Sequence, residues 1–231
     1  VRNILLLSQL GVETGSALAD ILLGKANPSG KLTTTWAAFE NYPAMPDFED
    51  MNETRYREGI YVGYRYFDTF GKKALFPFGY GLSYTEFRLG TPEVEVNGAQ
   101  VTVRTTVENI GTVAGRQIVQ VYLSKPAVKL DEPKQELCAF AKTRELAPGE
   151  TQTLTCSFAL PEMAAYDAET SAYLLEAGDY LVRAGVSSAE TAPAAVLHLD
   201  KAVTTLQVKN VLGSTDFTDL AVPAAPIRRP E

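Results

Sequence analysis

Beyond about residue 87 the chain alternates apolar and polar residues in short runs, and no other feature restricts the fold as strongly. The runs cover 93–96, 101–108, 117–123, 136–144, 151–158, 173–175, 180–186 and 195–199. A repeat of two places successive side chains on opposite faces of a strand, so each run can bury one face and wet the other. Between the runs stand Asn97-Gly98, Asn109-Ile110-Gly111, Pro148-Gly149 and Ala177-Gly178-Asp179, residues that supply or tolerate the backbone angles of tight turns. Seven or eight short strands at this spacing predict an immunoglobulin-like β-sandwich over residues 87–200.

The first 86 residues read differently. Residues 1–8, with Ile4-Leu5-Leu6-Leu7, form an apolar run of the kind buried on both faces of a parallel sheet. Leu18, Ile21 and Leu22 then share one face at helical spacing, with Gly24 as the stop. After the turn Asn27-Pro28-Ser29-Gly30, residues 31–36 read as a second strand. Strand, helix, strand is one βα unit running into the next strand, the closing part of an α/β domain. Periodicity fails from 37 to 59, and loops of that length are commonly functional. The segment 61–84 is dense in aromatics and glycine. After residue 200 the rhythm is lost, and 201–231 reads as an extended tail or linker, with a Pro-containing stretch at 222–226.

Composition excludes several classes of function. The formal charge is -7 and Lys and Arg do not cluster, which argues against nucleic acid and anionic membranes as partners. No apolar run approaches the ~20 residues of a membrane span. A neutral ligand suits the balance, and nothing calls for a cofactor. The two cysteines, Cys138 and Cys156, lack metal-ligand spacing and fall in neighbouring strand-like runs, where two free half-buried thiols are expected, with a bridge between them as the alternative. The chain opens at Val1 inside a strand pattern with no signal-peptide layout, as a piece of a larger soluble protein would. Cytoplasmic and secreted locations both stay open, the cytoplasm preferred.

Three strings carry a resemblance. They are Gly24-Lys25-Ala26-Asn27-Pro28-Ser29-Gly30-Lys31-Leu32, Glu58-Gly59-Ile60-Tyr61-Val62-Gly63-Tyr64-Arg65-Tyr66-Phe67-Asp68, and Phe76-Pro77-Phe78-Gly79-Tyr80-Gly81-Leu82-Ser83-Tyr84-Thr85. A fourth element is Val107-Glu108-Asn109-Ile110-Gly111, followed by Gly115 and Val119-Gln120-Val121-Tyr122. In this order they resemble glycoside hydrolase family 3, the β-glucosidase family, from about Ile4 to about Val186. The resemblance implies a fibronectin type III-like sandwich preceded by the end of an α/β (flavodoxin-like) domain. It also implies partners: a (β/α)8-type barrel, the rest of the α/β domain, and a β-linked sugar as substrate. Such enzymes work with retention through two carboxylates, which the chemistry places about 5–5.5 Å apart. The family's nucleophilic Asp lies in the barrel, often in a Ser-Asp-Trp setting, and the acid/base Glu lies earlier in the α/β domain. The single tryptophan, Trp36, stands in Thr35-Trp36-Ala37. No catalytic residue is therefore assigned to this chain, and it is expected to be inactive alone. A stand-alone carbohydrate-binding or adhesion module of fibronectin type is the rival reading.

Four residues are candidates for contact with a sugar. Glu13 sits where open α/β sheets place ligands, after a strand and before a helix, although an acid there also suits the helix dipole. Trp36 and Tyr56 offer rings on which sugar C–H faces can pack, and Glu58 can bond hydroxyls. Asp68 flanks the same aromatic run, whose tyrosines 61, 64 and 66 read better as cement between the two domains. His198, the only histidine, lacks a cluster of ligands in the sequence. Tyr166 is the candidate for the tyrosine that anchors a sandwich corner. Gly111 and Gly115 are expected at positive backbone dihedrals. The tail predicts continuation past Glu231 into a catalytic barrel, with a strap packing back on the first domain as the alternative.

Overall fold

The computed structural model describes residues 4–9, 11–43, 51–211, 213 and 217–222. The Pro-containing stretch from 223 on, Arg228-Arg229 and part of the long loop (44–50) lie outside them.

The apolar run at 4–9 forms no strand, and Ile4, Leu5 and Leu6 are exposed. A parallel strand needs neighbours for its ladder bonds, and none of the described residues supplies them. The helix follows as expected, α1 (Thr14–Leu22), yet buries none of its residues. Residues 31–36 do not make a second parallel strand either. Only Trp36–Ala37 (β1) pairs, antiparallel, with β2 (Ala74–Phe76). Between them lies α2 (Tyr64–Thr69). Its Tyr66 and Phe67 form a small core with Tyr61, against which Ala37, Phe70, Leu220 and Val222 pack.

The sandwich is built as the alternation requires. One sheet centres on β5 (Gln100–Asn109), whose one edge carries β3 (Phe87–Leu89) and β4 (Glu93–Asn97) in succession, and whose other edge carries β8 (Thr151–Ala159). The second has the order β12-β11-β6-β7, from β6 (Ile118–Ser124), β7 (Glu136–Lys142), β11 (Gly178–Gly185) and β12 (Thr191–Leu199). A smaller sheet joins β9 (Ala165–Asp167), β10 (Ala172–Leu175) and β13 (Val203–Gln207). Along β5 every second residue, Val101, Val103, Thr105, Val107 and Asn109, is buried. Val101 and Val103 pack with Cys156 and Phe158 of the neighbouring β8 and with Val121, Leu123 and Val182 of the other sheet, while Val107 packs with Val119, Leu146 and Leu154. Each such side chain contributes roughly 1.5–3 kcal/mol relative to exposure.

Strand β6 breaks the alternation, since Val119 through Leu123 are all buried. Val119, Val121 and Leu123 face the core, while the opposite face is covered by residues 61–84. Tyr64 packs edge-on to Tyr122 at 5.9 Å between ring centroids and stacks on Phe78 at 4.7 Å. Tyr122 donates to Gln120 Oε1 (2.6 Å), and Gln120 Nε2 donates to the carbonyls of Gly79 (3.3 Å) and Val186 (2.7 Å).

Two local expectations change. The corner tyrosine is Tyr180, not Tyr166: Tyr180 is buried and donates to the Glu176 carbonyl four residues upstream (2.7 Å), while Tyr166 is exposed and packs on Tyr173. The tail also holds more structure than expected, for β13 pairs with β10, and residues 217–222 return to the first segment.

Candidate functional site

The glycine- and aromatic-rich strings of the first segment converge on a seam with the sandwich. Asn27 of the Asn-Pro-Ser-Gly turn donates to the Ala114 carbonyl (2.9 Å) and accepts from Ser83 Oγ (2.9 Å) and Tyr84 N (2.8 Å). Lys31 reaches the Gly81 carbonyl (2.7 Å), and burial lowers its pKa. Leu137 N donates to the Tyr64 hydroxyl (2.8 Å), and Lys134 N donates to Thr69 Oγ1 (2.8 Å). Beside them Lys125 Nζ, almost fully buried, lies 2.7 Å from both Glu132 Oε2 and Glu136 Oε2, and Arg65 approaches Glu136 at 3.0 Å. Burial pushes the Glu132 carboxyl up to about 7 despite the pull of Lys125. Reading the sequence did not find this network, because its members are spread over 65 to 136 and have no local pattern.

The four residues proposed for sugar contact are not brought together. Glu13 is the N-cap of α1, exposed, and makes no side-chain cap bond. Trp36 is half-buried, its Nε1 donating to Thr34 Oγ1 (3.1 Å) and its ring edge-on to Phe76. Tyr56 is 76% exposed, and Glu58 beside it is half-buried. These last two ride on a segment held by the returning tail. Leu220 N donates to the Arg57 carbonyl (2.6 Å), and the Arg57 guanidinium lies over the Phe217 ring at 5.4 Å. Tyr56 and Glu58 thus have a fixed backbone, and among the described residues their side chains make no hydrogen bond or ion pair. Asp68 points elsewhere, into the seam, where Gln135 Nε2 donates to it at 2.9 Å.

The remaining candidates have structural surroundings. His198 is not isolated: Asp179 lies 2.7 Å from its Nδ1 and Asp200 3.4 Å from its Nε2, and the hydrogen bond with Asp179 raises its pKa. The cross-strand pairing of β11 with β12 creates this contact. Cys138 and Cys156 are free thiols, pushed by burial up to about 12 and about 11. Among the described residues no helix is long and apolar enough to cross a membrane.

Comparison with known proteins agrees with this division. Residues 1–84 match the glycosyl hydrolase family 3 C-terminal domain, and 117–188 match the fibronectin type III-like domain. β-Glucosidase A of Butyrivibrio fibrisolvens is 42% identical over 215 residues, which cover 83% of this chain and 26% of that protein. Among solved structures, a β-glucosidase from Paenibacillus barengoltzii superposes with a TM-score of 0.81 at 40% identity, over 85% of this chain and 23% of the other. β-Glucosidase 3B from Thermotoga neapolitana, in complex with glucose, gives 0.77 at 38% identity, over 83% and 27%. The chain therefore spans about a quarter of the length of these relatives. With both domain matches in order along one chain and the seam between them built from the family's own strings, this chain belongs to glycoside hydrolase family 3.

Proposed function

We propose that this chain is part of a retaining β-glycosidase acting on β-glucosides, to which it contributes a supporting sandwich and one loop at the edge of the substrate site. The observation that carries this reading over a free-standing binding module is the double burial of β6. Gln120 and Tyr122 on its outer face are 3% exposed or less, covered by the first segment. An autonomous module would present that face to water. The uncovered apolar side chains of residues 4–6 and of α1 point the same way, because they suit contact with the rest of an α/β domain. The catalytic nucleophile and acid/base are assigned to the barrel and to the remainder of that domain, since the paired carboxylates of the seam, Glu132 and Glu136, are engaged by the buried Lys125.

Within this reading Tyr56 and Glu58 border the sugar, with Trp36 and Glu13 as further contacts. In the full-length enzyme Tyr56→Ala should reduce kcat/KM for an aryl β-glucoside by about 2–10-fold, the worth of one aromatic packing contact. Glu58→Gln should reduce it by about 10-fold if the carboxylate holds a hydroxyl. Unchanged kinetics in both variants would remove the loop from the substrate site. The isolated chain should not turn over the same glucoside at all. Sugar binding by a piece trimmed to residues 87–200 would favour the module instead.

A further inference from the structure

A cavity of about 320 Å³ opens at the seam, where the end of α2 meets the sandwich. Lys72, Lys134 and Arg183 bring three cations to its wall, and Asp68 is the one acid among the lining residues. Among the described residues none of the three cations is in an ion pair. Arg183 donates from Nε to Thr191 Oγ1 (2.9 Å) and from a terminal nitrogen to the Thr191 carbonyl (3.3 Å), so both of its partners are neutral. Burial lowers its pKa, as expected of a guanidinium drawn out of water without a counter-charge.

The floor of the cavity is polar and built. Gln135 is 1% exposed and spends both amide hydrogens on Asp68 Oδ2 (2.9 Å) and the Ser188 carbonyl (2.6 Å). Ser188 is 4% exposed, and its hydroxyl makes no hydrogen bond of ordinary geometry, although it lies near enough to Asp68 to favour the carboxylate. This hydroxyl, with Gln135, fixes the Asp68 carboxylate in the floor of the cavity. Burial also raises the pKa of Asp68, which makes it a weaker rival for the cations than an exposed carboxylate.

We propose that this cavity binds a small tetrahedral oxyanion of the phosphate class, held by Arg183, Lys72 and Lys134. Three cations against the single carboxylate of Asp68 leave the wall with excess positive charge, which an oxyanion answers and a neutral sugar does not. The guanidinium hydrogens that Thr191 does not take and two ammonium groups are donors of the kind oxyanions select. The site lies apart from Tyr56 and Glu58, and the proposal does not rest on the glycosidase reading.

Thermal unfolding of the full chain tests it, with inorganic phosphate titrated against sodium chloride at constant ionic strength. The expected result is a saturable rise in Tm. Lys134→Gln and Arg183→Gln should each weaken the half-saturating concentration by about 10-fold, the worth of one charge-assisted bond. Lys134 is exposed, so its variant reports even if Arg183→Gln perturbs folding. Sulfate should compete, and glucose should not. No rise over chloride overturns the proposal. A linear, unsaturable rise equal in the wild type and Lys134→Gln overturns it as well, because that is the general effect of an excluded salt.

Discussion

Asn109 shows how much one side chain can organise. Fully buried, it accepts from Thr85 Oγ1 (2.7 Å) and Gly111 N (3.1 Å), and donates to the carbonyls of Val113 and Leu146 (both 2.8 Å). Asn109→Asp would turn two donors into acceptors that face carbonyls, and would bury a charge. Stability should fall by roughly 3 kcal/mol or more, read from urea denaturation. The sequence singled out Gly111 as well, but for another reason. Its backbone is not among those with positive φ. Instead a Cβ there would collide with Thr85 Oγ1 and sit 2.7 Å from Glu86 N. That neighbour is remote in sequence, so a close approach and a turn conformation look alike until the chain is folded. Glu132 supports a prediction on pH. Its carboxyl titrates at about 7 when folded, against 4.5 as the ordinary value. The native state therefore binds its proton more tightly, and this group's contribution to stability is present below about 4.5 and lost as pH rises to about 7. Glu132→Gln should flatten that decline, gaining on the wild type between pH 5 and pH 8 by ~3 kcal/mol at most. Parallel pH profiles for the two proteins would show that Lys125 fully compensates the charge.

At the scale of elements, the strands that alternate were legible and those that depend on distant partners were not. All eight runs with period two are strands, within two to four residues at their ends. Strand β13 was missed because Val-Thr-Thr-Leu-Gln lies on a small outer sheet where every residue but the half-buried Thr205 is exposed, and no inward face shows in the pattern. The opposite error occurred at 4–9. There the apolar run was read as a parallel strand, but a strand is a property of a pair, and none of the described residues pairs with it. The double burial of β6 was half visible: the inward valines declare themselves, whereas Gln120 and Tyr122 read as solvent-facing until Tyr64 and Gly79 cover them. At Gly79, φ is +81 and a Cβ would strike the Gln120 amide, so both conformation and space call for glycine. Tyr64→Phe removes the acceptor of the Leu137 N–H while keeping the ring stack. It should cost about 1–2 kcal/mol in chemical denaturation. A loss within error would mean that water replaces the phenol oxygen.

Across the whole molecule, stability should be uneven. Helix α1 has nine residues and buries none of them, and isolated helices of that length are marginal in water. Its amides should exchange with solvent fast, whereas those of β5 and β6 should exchange only on global unfolding. Hydrogen exchange followed by mass spectrometry separates the two, and protection of residues 14–22 equal to that of β6 would contradict the packing. The candidate sugar contacts were the least legible part. Exposed aromatics and acids can be counted in a sequence, but which of them share a surface is set only by folding, and among the described residues no hydrogen bond or ring contact joins Glu13, Trp36, Tyr56 and Glu58. The seam was more readable, since glycine-aromatic strings announce close backbone packing even when their partner is unknown.

The covered outer face of β6 also bears on how such proteins can be recombined. A fibronectin-like sandwich looks like an interchangeable cassette, and a natural junction for shuffling would fall between Tyr84 and Phe87. Here that cut would part Tyr64 and Phe78 from Tyr122, and Gly79 from Gln120. A chimera that takes its sandwich from another member of the family inherits a foreign half of this contact set. Residues on either side of the boundary are therefore constrained to drift together, and a successful transplant must move the seam with the sandwich.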